Sequence, residues 1–359
     1  MEDRLRNLVT VRRVAEIKPI EGADAIELAI IDGWQTVIKK GELHPGEYCL
    51  YFEIDSFLPV KPEFEFLRKS SYKKYEDGTE GFRLKTVRLR GQISQGLALP
   101  FTGEILHTLM KIAGPGARFD DFMGKDLSEL YGVTKWEPAD GAVLSGDAKG
   151  LFPSHSRKSD QERIQNLSRY FELYADEEFE GSIKLDGSSM TVFFHRGDFG
   201  VCSRNLELKE DEGNTFWKVA NNLDLKNRMT KLGLNISIQG ELCGEGIQGN
   251  KEKLRGHDFF VFDIWDQDKH RYMTPDERMN IMNILNSDGG PQIKHVPVLG
   301  RGLYLKEYNS VAKLLELADG PSLHAKTREG IVFKSLRPIN NEIVSFKVIN
   351  TKFLLDERD

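Results

Sequence analysis

Two β-rich runs meet at Lys184-Leu-Asp-Gly-Ser188, and the join places a lysine and an aspartate at a strand-to-strand turn. Glu180-Gly-Ser-Ile reads as the strand leading in. Ser188-Ser-Met-Thr-Val-Phe-Phe reads as the strand leading out, because β-branched and aromatic residues favour a pleated, half-buried surface. Asp-Gly is also ordinary hairpin chemistry, with lysine there for solubility. These five residues alone therefore favour a plain hairpin over a reactive site.

Further segments follow in a fixed order: Ser203-Arg-Asn205, Gly240-Glu-Leu-Cys-Gly244, Phe259-Phe-Val-Phe-Asp-Ile264, Arg328-Glu-Gly-Ile-Val-Phe-Lys334 and Ser345-Phe-Lys347. Together with Lys184 they resemble the ordered motifs of ATP-dependent polynucleotide ligases and, more distantly, of mRNA capping enzymes. The resemblance implies that Lys184 attacks the α-phosphate of ATP to give a lysyl-adenylate. A lysine amine has an ordinary pKa of about 10.4, so losing its proton at neutral pH costs roughly 4 kcal/mol unless positive charge lies beside it. Mg²⁺ or Mn²⁺ supplies that charge. Magnesium is typically held by one or two carboxylates plus phosphates, and Asp186, Glu241, Asp263 and Glu329 are the acids available. By resemblance, Glu329 and Asp186 hold the hydrated ion and Glu241 contacts the ribose or the ion's water shell.

Charge developing on the α-phosphate also calls for a positioned cation, and the resemblance implies Lys347. The family commonly has a second lysine where this chain has Ser345, so Lys334 and Lys352 are candidates for the second phosphate contact. Arg163 and Arg204 match arginines that related RNA ligases place near phosphates; a surface-helix arginine and a turn arginine fit them too. By resemblance Phe262 stacks on adenine, the backbone around Ile183 reads its edge, and Gly187 lies among the nucleotide-binding residues. Phe259 and Phe260 read as core, since they lie in a hydrophobic run bounded by polar pairs.

The first 150 residues read as a separate, mostly β module. Strand-like runs at 9–17, 25–31, 35–39, 48–54 and 81–90 are punctuated by Glu21-Gly22, Asp32-Gly33 and Pro45-Gly46. Five strands suggest an OB-type barrel, with Leu127 to Trp136 closing or flanking it. Pro19-Ile-Glu-Gly-Ala-Asp-Ala-Ile, Gly33-Trp34 and Tyr51-Phe-Glu-Ile-Asp-Ser56 resemble the N-terminal OB module of the clade called RNA ligase family 5. Ala139 to Ser156 is the natural linker, which gives domains at 1–147 and 148–359. The net charge of −6 divides as −3 in residues 1–150 and −3 beyond, so nucleic-acid binding has to rely on local stripes. The best is Phe82-Arg-Leu-Lys-Thr-Val-Arg-Leu-Arg90. A bulge at Thr86-Val87 would align Arg83, Lys85, Arg88 and Arg90 along a phosphate backbone, although charge protecting an edge strand fits as well.

The expected fold is α+β: an OB-like barrel followed by a nucleotidyltransferase domain of antiparallel sheets flanked by helices. The expected activity is ATP-dependent RNA ligation, joining 3′-OH and 5′-phosphate ends of RNA in a duplex, as in nick sealing and RNA repair. An OB module placed before the nucleophile, a chain ending soon after Lys347, and Ser189 where DNA ligases and capping enzymes usually have arginine all favour RNA ligation. A GTP-using guanylyltransferase, a DNA ligase and an inactive RNA-binding relative are the alternatives. With no long apolar run, no secretory start and three unpaired cysteines, the chain is expected to be a soluble, intracellular (cytoplasmic) monomer.

Overall fold

The first strand, β1 (Val9–Pro19), shapes the N-terminal unit because it is long and bulged. Its register slips between Val14 and Glu16, and its two halves pair with different neighbours. A bulge bends and twists a strand, which lets a small sheet curl toward a barrel. Next, β2 (Ile26–Ile31) and β3 (Trp34–Lys39) form a hairpin that turns at Asp32-Gly33, with Asp32 at φ 54°. The unit continues through β4 (Tyr48–Phe52), β5 (Ser56–Leu58), β6 (Tyr72–Lys74) and β7 (Glu80–Arg83). It finishes with β8 (Val87–Leu89), β9 (Gln92–Ser94), β10 (Leu97–Pro100) and β11 (Thr134–Lys135). One sheet runs β10-β4-β1-β2-β3, a second runs β11-β5-β7-β6, and β8-β9 is a separate hairpin. Val9, Val11, Leu50, Phe52, Phe64 and Phe82 pack its core. The computed structural model describes residues 6–75, 78–113, 118–136 and 146–356.

The run 81–90 is not the single bulged strand expected from the sequence. Strand β7 ends at Arg83, and Leu84 turns into the core, its N–H donating to the Ser56 carbonyl at 2.9 Å. The chain re-emerges at Val87 in a hairpin that turns tightly at Arg90-Gly91, both at positive φ. The four cations are thereby divided between two elements. Leu127 to Trp136 does close the module: the Leu127 N–H donates to Val9 and the Trp136 N–H to Asp55.

The chain divides into units Met1–Pro138 and Ala139–Asp359. The expected linker lies partly outside the described residues, and within them Ala148–Leu151 is a strand, β12. It pairs with β16 (Leu206–Leu208), which follows β13 (Glu178–Lys184), β14 (Ser188–His195) and β15 (Asp198–Cys202). Beyond these come β17 (Ile236–Gly244), β18 (His257–Asp266), β19 (Arg271–Tyr272), β20 (Lys294–His295), β21 (Val298–Tyr304), β22 (Gly330–Ser335) and β23 (Ser345–Ile349). The larger sheet runs β12-β16-β15-β14-β17-β18-β19, with β20 parallel to β18, and the smaller runs β21-β13-β22-β23. Helices Thr215–Asn222, Leu225–Leu232 and Pro275–Leu285 contribute to the core against the larger sheet, and Val311–Ala318 to that against the smaller. Among the described residues no helix is long and apolar enough to cross a membrane.

Candidate active site

Lys184 ends β13 and Ser188 begins β14, yet these strands do not pair with each other. The first joins β21 and β22 and the second joins β15 and β17. The Asp-Gly turn is therefore the crossing from one sheet to the other, not a hairpin. Gly187 makes that crossing possible. A Cβ there would lie 2.4 Å from the Leu242 carbonyl oxygen and 2.8 Å from Cys243 Sγ. Its N–H donates to Glu241 Oε1 at 3.0 Å.

Three acids surround the amine. Glu329, just before β22, accepts from Lys184 Nζ at 2.7 Å, and Glu241 on β17 and Asp186 act on the same charge. Burial opposes the ammonium, but Glu329, Glu241 and Asp186 outweigh it and hold the Lys184 pKa above its ordinary value. Burial also pushes the Glu241 carboxyl up to about 7; Lys184 opposes this, while Glu329 and Asp186 add to it. Three carboxyl groups thus face the Lys184 amine. Lys251, which the sequence did not single out, pairs with Asp186 at 2.7 Å and lies over the Phe353 ring at 3.9 Å. Among the described residues no group of three His, Cys, Asp or Glu side chains is placed to hold a bare metal ion.

A β-bulge builds the opposite wall. Gln239 pairs with Asp263 and Gly240 with Val261, so Phe262 is the extra residue. Phe259, Val261 and Ile264 enter the core behind the sheet, whereas Phe260 and Phe262 pack with Ile183, Leu185 and Val296 on the other side. Phe262 remains partly exposed. Asp263 is drawn away from the acid cluster expected to include it. It pairs with buried Lys334 at 2.8 Å and accepts from Ser159 Oγ at 3.1 Å. Lys334 is correspondingly a buried cation engaged with Asp263. It also donates to the Phe262 carbonyl, and burial pushes its pKa down to about 8. The Ile183 N–H donates to the Pro297 carbonyl at 2.8 Å, so it is already engaged.

Lys347 and Arg204 converge on Asp160. Arg163 is buried, against the surface-helix alternative, and its backbone pairs in parallel with that of Lys347 on β23. Lys347 Nζ lies 3.2 Å from Asp160 Oδ1, and Arg204 lies 3.4 Å from Asp160 Oδ2. Lys352 stands apart, paired with Asp319. In the N-terminal unit the Arg83 guanidinium covers the Trp136 ring at 3.4 Å, while Arg88 donates to the Gly91 carbonyl at 2.8 Å.

An OB-fold domain model matches residues 8–101, and an RNA ligase model matches residues 177–349. No curated protein sequence matches the chain. The chain is similar over its whole length to solved structures of a Naegleria gruberi RNA ligase. The structure with pyrophosphate has a TM-score of 0.85 at 43% identity, covering 98% of each chain. A mutant with ATP and Mn has a TM-score of 0.85 at 43% identity, covering 99% of this chain and 100% of that one. A mutant with AMP and Mn gives 0.85 at 42% identity, covering 97% and 98%. With that identity spread over both of its units, the chain belongs to the RNA ligase family, with an OB-fold region ahead of the ligase domain.

Proposed function

We propose that this ATP-dependent RNA ligase joins RNA 3′-hydroxyl and 5′-phosphate ends held in a duplex, with Lys184 as its nucleophile. Lys184 Nζ attacks the α-phosphorus of ATP, the bond to pyrophosphate breaks, and the amine gives up its proton. A 5′-phosphate oxygen of RNA then takes the AMP from Lys184. Finally the RNA 3′-hydroxyl attacks that phosphate, AMP leaves and the strand is sealed. The observation that carries this reading is Lys184 held 2.7 Å from Glu329 with Glu241 and Asp186 around it, at a crossing between two sheets.

Each side chain has a place in the scheme. Glu329 orients the amine, and Glu241 is fixed by the Gly187 N–H. The three carboxyl groups around Lys184 suit a hydrated divalent cation, which Asp186, Glu241 and Glu329 would hold through water. When bound, that ion supplies positive charge to the α-phosphate and favours the neutral amine. Lys347, with Arg163 and Arg204 beside it, meets the phosphates, and Phe262 offers its ring to the base. Incubation with labelled ATP and Mg²⁺ or Mn²⁺, followed by sealing of nicked duplexes that differ in which strand is RNA, tests the scheme. Labelled protein and preferential sealing of RNA ends are expected; labelling by GTP alone, or sealing confined to DNA ends, overturns it.

A further inference from the structure

We propose that Asp160 is an internal stand-in for a substrate phosphate, pairing with Lys347 and Arg204 and yielding them when ATP binds. The inference rests on the reading above that these two cations meet phosphates. Each oxygen of the Asp160 carboxylate faces a different cation: Oδ1 is 3.2 Å from Lys347 Nζ and Oδ2 is 3.4 Å from Arg204 Nη2. The cations come from separate elements, β23 and the turn between β15 and β16, so the carboxylate bridges two walls of the site. A phosphate oxygen pair makes the same kind of bridge with more charge.

The segment carrying Asp160 is fixed on both sides. Ser159 Oγ donates to Asp263 at 3.1 Å, and Gln161 Nε2 donates to Ser159 Oγ at 2.9 Å. Asp263 is itself held by buried Lys334. On the other side the Lys347 N–H donates to the Glu162 carbonyl at 2.8 Å. Asp160 is thus presented from an anchored strip, but its side chain is 52% exposed and Arg204's is 50% exposed. The Asp160–Arg204 pair, open to water on both sides, contributes little to stability, while Lys347 at 18% exposure meets Asp160 from a deeper position. Strong placement of the backbone combined with weak pairing of the side chain suits an anion that is to be displaced.

Removing the carboxylate takes away one competitor of the incoming phosphates at Lys347 and Arg204. In the full chain, Asp160→Asn keeps the shape and removes the charge, and Asp160→Ala removes both. Lysyl-adenylate formation against ATP concentration, and pyrophosphate binding by calorimetry, read the effect. Both variants are expected to lower the ATP KM and to tighten pyrophosphate binding by roughly two- to fivefold, the size of a solvent-exposed ion pair. Melting temperature should stay unchanged, and the pyrophosphate gain should shrink in a Lys347→Ala background. Weaker pyrophosphate binding in Asp160→Asn would show that Asp160 itself serves the substrate or its cation, and overturns the proposal, as does unchanged affinity. If the unsubstituted protein forms no adenylate at all, the reading of the site fails instead.

Discussion

Gly187 is the residue on which the site geometry turns. It has no left-handed backbone requirement; what it lacks is a side chain, at a point where a Cβ would lie 2.4 Å from a main-chain carbonyl oxygen. Backbone cannot give way there as a flexible side chain can, so Gly187→Ala should displace Lys184 relative to Glu241. A misplacement of that kind costs on the order of a hundredfold in rate, and a time course of adenylate formation on folded variant protein measures it. Glu329→Ala removes the nearest partner of the amine and should cost on the order of a hundredfold or more, while exposed Glu212→Ala should stay within about twofold. Equal effects of the two substitutions would separate Glu329 from the chemistry. Lys184, Glu241, Glu329 and Lys347 were legible in the sequence because each sits in an ordered segment. Asp160 and Lys251 were not, because a charge on a loop gains meaning only from a partner distant in sequence.

At the scale of elements, the ligase sheets are tied together by a buried polar cluster. Glu180 on β13 pairs with Arg278 of helix Pro275–Leu285 and with Arg301 on β21, Arg301 Nε lying 2.9 Å away. Arg278 Nε also donates to His295 Nε2 at 2.9 Å. Glu180→Ala leaves Arg278 buried without its carboxylate and should cost about 3–5 kcal/mol, read by urea denaturation. For His295, burial and the neighbouring Arg278 push the pKa down from 6.5 to about 4. The unfolded chain therefore binds the proton first, so stability should fall as pH drops from 6.5 toward 4, and His295→Gln should flatten that slope. Strand positions were readable from β-rich runs. The bulge at Phe262 was not, since it depends on the register against β17, and the pairing of Asp263 with Lys334 was not legible either, because it is a tertiary contact. The same holds for Arg83 to Arg90, where burial of Leu84 breaks an apparently continuous strand.

For the whole molecule, the sequence carried the order of the two units but not how the basic residues are distributed over the first. A chain with net charge −6 needs local basic contacts to hold RNA. Arg88 and Arg90 on the β8-β9 hairpin are exposed, whereas Arg83 is partly covered and lies over Trp136. Replacing Arg88 and Arg90 with Ala should flatten the salt dependence of RNA binding by up to about one unit per lost phosphate contact, while leaving adenylate formation intact. An unchanged salt slope would move the RNA contact elsewhere. Whether Lys184 carries AMP is decided by Lys184→Ala assayed twice, once with labelled ATP and once with RNA already adenylated at its 5′ end. The expected result is no labelled protein but continued sealing of the adenylated strand; labelling at the level of the unsubstituted enzyme contradicts the account.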